Sequence, residues 1–149
     1  MDKLKEAIDL FNEVSFMATE LFHKKGSAYD VFKEISPQQV GLIKILSLYG
    51  ASSPGHLAIV QQVHKSAISN RLKKLHEKGW VEWVDSEGDK RTKLVQITED
   101  GEEILKQAEE AIYDRFCGLF EHIKDEDVET FIRIFTDVKE QLKKGERED

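Results

Sequence analysis

The spacing of apolar residues changes its period at Gly79, and that change most limits what the chain can fold into. Up to Leu75 the apolar residues recur every three or four positions, which is helical spacing. After Gly79 come Val81, Glu82, Trp83, Val84 and later Leu94, Val95, Gln96, Ile97, short runs rich in β-branched and aromatic residues with the two-residue alternation of strands. Ser86 to Lys93 between them is polar, with Gly88 at its centre, so the two runs predict one β-hairpin with a long charged tip. Helical spacing returns at Thr98, a capping residue followed by the acidic pair Glu99 and Asp100. A long helix then carries Ile104, Leu105, Ala108, Ala111, Ile112, Phe116, Leu119 and Ile123, and a final one Val128, Phe131, Ile132, Phe135, Val138 and Leu142. The fold class this predicts is mainly α with one small β-hairpin.

Ahead of the hairpin, Leu4, Ile8, Phe11, Val14, Ala18, Leu21 and Phe22 form one stripe of a first helix over Asp2 to Lys25, stopped by Gly26. Ser36 followed by Pro37 starts a second helix with Val40, Ile43, Leu46 and Leu48, ended by Gly50. Ser53 and Pro54 repeat the device for a short helix that turns Leu57, Ala58 and Val60 inward and ends near Gln61. Val63 and His64 then open another, with Ile68, Leu72 and Leu75 as its buried face. Two short helices joined by a tight turn and followed at once by a hairpin have the order of a winged helix-turn-helix. The second helix of such a pair enters the DNA major groove, so polar groups are required on its outer face. Lys65, Ser66, Ser69, Asn70 and Lys73 meet that requirement, with Arg71 and Lys74 adding charge on the same helix. Of the neighbours Ser69, Asn70 and Arg71, Asn70 suits base reading best, because its amide can pair with adenine through both of its groups.

From Ser53 to Gly101 the chain resembles the MarR family of transcriptional regulators without a gap. Ser53, Pro54, Leu57 and Ala58 match the first helix of the motif; Lys65, Ser66, Ile68, Ser69, Leu72, Leu75, Glu77, Lys78 and Gly79 match the recognition helix and its end. Val81 begins the wing, Asp89 and Arg91 match the wing-tip pair, and Leu94, Ile97, Thr98, Glu99 and Gly101 match the return strand and next helix. Gln62 stands where the family often has glycine, His64 where it has a capping serine, Ala67 where threonine is common and Asn70 where arginine is common. The resemblance implies that Arg91 reaches the minor groove with Asp89 bracing the loop, and that Lys90 and Lys93 contact phosphates. It implies a winged helix-turn-helix over 36–98 and helical dimerisation regions over 1–25 and 99–144. The expected protein is a homodimeric repressor on double-stranded DNA with an inverted-repeat operator, released by a small aromatic or phenolic effector. Trp80, Trp83, Tyr49 and His23 are pocket candidates, though each reads better as core or wing packing, and no residue pattern identifies the effector.

The net charge of −7 looks wrong for a DNA binder until it is divided. His64 to Lys93 holds eight basic and five acidic residues, a segment of +3 in a chain otherwise at −10. A winged module used only to bind protein is the rival reading, and the basic segment counts against it. No nucleophile with its base, catalytic carboxylate pair or glycine-rich phosphate loop occurs, so the chain is expected not to be an enzyme and to need no cofactor. His23, His56, His64, His76 and His122 lack metal-ligand spacing. Cys117, the one cysteine, reads as a small packed hydrophobe with no disulfide partner. No apolar run approaches the roughly 20 residues of a membrane span and no signal peptide is evident, so a cytoplasmic location is expected.

Overall fold

Serine caps followed by proline set two of the helix starts. This computed structural model describes residues 2–25, 30–86 and 88–145, and the side chains of all of these but 22–25 and 89–92. Ser36 Oγ accepts from the Gln39 amide at 3.2 Å while Gln39 Oε1 accepts from the Ser36 amide at 2.9 Å, a reciprocal cap that satisfies two otherwise orphaned donors. Ser53 Oγ likewise accepts from the His56 amide at 3.2 Å. Each such cap stabilises its helix by about 1 kcal/mol. The helices are α1 (Lys3–Lys25), α2 (Val31–Glu34), α3 (Pro37–Tyr49), α4 (Pro54–Gln61), α5 (Lys65–Glu77), α6 (Glu99–Phe116) and α7 (Asp125–Gly145); the strands are β1 (Val81–Ser86) and β2 (Asp89–Ile97).

The strands pair antiparallel from Val81 opposite Ile97 to Asp85 opposite Lys93, and the register slips beyond Asp85 so that Ser86 faces Asp89. Gly79, with φ +75°, turns the chain from α5 into β1 through a conformation that side chains disfavour. On its other edge β2 is joined to the α3–α4 link, where Ser52 and Val95 exchange both backbone hydrogen bonds at 2.9 and 2.8 Å. The hairpin is thereby fixed to the helix-turn-helix as a short third rung.

Two compact units divide the chain, Met1–Ala111 and Ile112–Asp149, with the boundary inside α6. In the first unit Ile35, Leu42, Ile43, Leu46, Leu57, Ile68, Leu72, Leu75 and Val95 are fully buried, joined by Ile104 and Leu105 of α6. Each of these large side chains contributes about 1.5–3 kcal/mol by leaving water. The described side chains of α1 are exposed apart from Ala18 and Leu21, which are half-buried. In the second unit no residue of α7 is buried; Val128, Phe131, Ile132, Ile134, Phe135, Val138 and Leu142 all remain exposed, and the Phe131 and Phe135 rings stack at 4.2 Å.

Three details differ from the expectation. The one-turn helix α2 has no sequence counterpart in the expected elements. The helix expected to run to Ile123 ends at Phe116 and tightens into a 3-10 turn over Cys117–Phe120, where Gly118 withdraws about 1 kcal/mol of helix propensity. Val60, expected to face inward, is 42% exposed, because Leu57 and Ala58 fill the buried arc of their short helix. The stop expected at Gly26 lies outside the described residues. No helix among the described residues is long and apolar enough to cross a membrane.

Candidate nucleic-acid interface

The candidate interface is built on α5. Ile68, Leu72 and Leu75 are at most 1% exposed and anchor the helix by one stripe. At about 100° per residue the opposite side of the helix is then fixed in direction. Lys65, Ser66, Ser69, Asn70, Lys73 and Lys74 are exposed, and Asn70 lies almost diametrically across from the buried stripe. The face therefore brings together three cations, two hydroxyls and one amide, all free to meet a groove. Lys74 also sits in the last turn, where a cation complements the helix dipole.

Arg71 stands apart from that face. It is half-buried, and its Nη1 donates to Gln61 Oε1 at 2.8 Å. Lys93 is exposed on β2. The roles expected of Asp89, Lys90 and Arg91 depend on side chains that lie outside the described residues. Among the pocket candidates, Trp80 is buried in the core, while Tyr49 and Trp83 are 46% and 41% exposed; the side chain of His23 lies outside the described residues.

The turn before α5 is made without glycine. Gln62 has φ 54° and ψ 44°, the left-handed conformation, and its amide donates back to α4 while Val63 N–H reaches the Ala58 carbonyl at 3.0 Å. An L-residue there stores about 1–2 kcal/mol of strain. His64 begins α5 with no side-chain cap. An open groove of about 590 Å³ lies beside this turn, bounded by Gly55, Ile59, Gln62 and Lys65 among others.

Several partners were invisible in the sequence. Lys78 Nζ donates to the Glu34 carbonyl at 2.7 Å and lies 4.7 Å from the centre of the Trp80 ring, so it ties α2 to the end of α5. Thr98 does more than cap α6. Its Oγ1 accepts from the Gly101 amide at 3.1 Å and donates to the Gly79 carbonyl at 2.6 Å, and its own N–H donates to the Trp80 carbonyl at 3.0 Å. Lys44 of α3 and Glu109 of α6 form an ion pair. The base of the wing, the end of α5 and the start of α6 thus meet on one backbone junction. No group of three or more His, Cys, Asp or Glu side chains able to hold a metal ion is found among the described residues.

A family model described as the MarR family matches residues 34–92. The HTH-type transcriptional regulator YdgG of Bacillus subtilis (strain 168) is 48% identical over 146 residues, which is 97% of this chain and 95% of that protein. Among solved structures, a MarR family protein from Bacillus stearothermophilus superposes with a TM-score of 0.70 at 18% identity, over 96% of this chain and 99% of that one. Streptococcus pneumoniae FabT, solved in complex with DNA, gives 0.61 at 18% identity, over 94% and 98%. At that identity the structural likenesses speak for the fold. A helix-turn-helix braced to its wing through Ser52, taken with a relative so similar along nearly its whole length, places this chain in the MarR family of DNA-binding transcriptional regulators.

Proposed function

We propose that this regulator is a homodimeric repressor that binds an inverted-repeat operator in double-stranded DNA, with α5 in the major groove and the hairpin beside it. The observation that carries the reading is the exposed face of α5, where Lys65, Ser66, Ser69, Asn70, Lys73 and Lys74 stand opposite a fully buried stripe. Helical anchoring of this kind holds polar side chains rigidly against base edges. That FabT was solved with DNA supports the same use of the shared fold.

Dimerisation is supported by the exposed apolar residues of α1 and α7, among them Leu4, Phe11, Phe16, Phe131 and Ile132, each at least 51% exposed in the single chain. Surfaces of that character mark association sites. An isologous pairing would set two recognition helices roughly 34 Å apart, one DNA turn. On this reading 1–25 and 99–144 form the dimerisation region and 36–98 the DNA-binding one. Arg91, braced by Asp89, enters the minor groove and Lys90 and Lys93 meet phosphates, roles that rest on the family resemblance. Release by a small aromatic or phenolic molecule rests on that resemblance alone.

The test is duplex binding across a salt series. Lys65→Ala, Lys73→Ala and Arg91→Ala should each weaken binding and lower the log–log salt slope by about one unit for each phosphate left without its cation. Slopes identical to wild type in all three variants would remove α5 and the wing from the interface.

A further inference from the structure

Arg71 is charged, sits on the DNA-binding helix, and yet points toward the protein. Its side chain is half-buried at the edge of the stripe formed by Ile68, Leu72 and Leu75. The guanidinium donates to Gln61 Oε1 at 2.8 Å, and the Gln61 Nε2 donates to the backbone carbonyl of Gln38 at 3.3 Å. One amide thus connects α5 to α3 through the last residue of α4. Gly41 faces the same amide; a Cβ there would come within 3.4 Å of Gln61 Nε2, so α3 leaves just enough room for it.

The amide satisfies both ends of this arrangement. The oxygen must receive the guanidinium and the nitrogen must give to the carbonyl, which fixes which way Gln61 points. The bond from Arg71 is charge-assisted and partly shielded from water, and so stronger than a neutral one. Gln61 immediately precedes Gln62, the residue whose positive φ makes the turn into α5. The chain of bonds therefore spans the hinge about which α5 could tilt.

We propose that Arg71 is a positioning residue for DNA recognition: through Gln61 and the Gln38 carbonyl it fixes the angle of α5 on α3 and α4, and it touches neither base nor phosphate. This rests on the proposed use of α5 on DNA. It adds a polar tie at the rim to the anchoring that the apolar stripe gives α5.

Arg71→Ala, Gln61→Ala and the double variant separate this from direct binding of DNA by Arg71, using the full chain and a duplex that wild type selects from a random pool. Arg71→Ala should weaken the selected duplex about tenfold or more, Gln61→Ala should match it, and the double variant should be no weaker than either single one. The salt slope should stay at the wild-type value, because every phosphate keeps its cation. Gln61→Glu keeps the acceptor for Arg71 but sets a carboxylate against the Gln38 carbonyl, so the tie to α3 is lost and it should bind no better than Gln61→Ala. Without DNA, hydrogen exchange at the Gln62 and Val63 amides should quicken in both single variants. Arg71→Ala lowering the slope by about one unit with Gln61→Ala unchanged would make Arg71 a phosphate ligand and overturn the proposal. So would a base preference altered at one position by Arg71→Ala alone, or wild-type binding in both variants. If wild type selects no duplex, the DNA-binding reading itself fails, while the exchange measurement still judges the tie.

Discussion

Replacing Gly101 with alanine should destabilise the protein although alanine is the better helix former. Gly101 lies in the first turn of α6, and a Cβ built there would sit 2.1 Å from the Trp80 carbonyl oxygen, 2.8 Å from Ile97 Cγ1 and 3.0 Å from the Trp80 carbonyl carbon. None of these atoms can retreat cheaply. The Trp80 carbonyl accepts the Thr98 amide at 3.0 Å, and Thr98 Oγ1 holds both the Gly101 amide and the Gly79 carbonyl. The start of α6 must move instead, straining the junction by about 1–3 kcal/mol as overpacking does. Two weakened hydrogen bonds add about 1 kcal/mol each, and the better helix propensity of alanine returns about 1 kcal/mol. The net loss is about 3 kcal/mol, a fall of roughly 6–12 °C in Tm for a chain of this size. Gly55→Ala is the matched control: it is helical, and its nearest neighbour is Lys65 Cε at 3.7 Å, so it should be neutral or stabilise by up to about 1 kcal/mol. Guanidinium denaturation followed by circular dichroism measures both, at one fixed protein concentration because association links stability to concentration. Gly101→Ala as stable as wild type would refute the close approach of α6 to Trp80.

Gln62→Gly should raise stability by about 0.5–1 kcal/mol in the same assay, since glycine occupies the left-handed turn without the strain the glutamine carries. Ile132→Asp should convert a dimer, twice the 17.2 kDa chain, into a monomer in sedimentation; in a monomeric wild type this exposed position would change little. Asn70→Ala should reduce discrimination at one base position by about 1–3 kcal/mol in a selection from random duplexes, with overall fold unchanged by circular dichroism.

Where structure followed from local chemistry, the sequence was a good guide. Ser36–Pro37 and Ser53–Pro54 located two helix starts because a cap and a fixed φ act within one turn. The wing was equally legible, as the change of period at Gly79 became the Val81–Ile97 pairing. Features decided by distant partners were not. Arg71 lies at the margin between the buried and exposed arcs of α5, where periodicity is silent, and what turns it inward is Gln61 on another helix. Position 101 reads as an ordinary first-turn residue until the Trp80 carbonyl is placed against it. Helix α2 has too few residues for any period to register, and α6 ends early at a glycine that its apolar spacing runs straight across.

Selection of duplexes from a random pool by the wild-type protein, sequenced and then titrated across salt, tests the central claim that α5 reads DNA from a symmetric dimer. The account predicts an enriched inverted repeat with half-sites centred about one helical turn, roughly 10–10.5 base pairs, apart. Binding to it should fall steeply as salt rises. A pool with no enrichment, or enrichment of a lone half-site bound with no salt dependence, would contradict it.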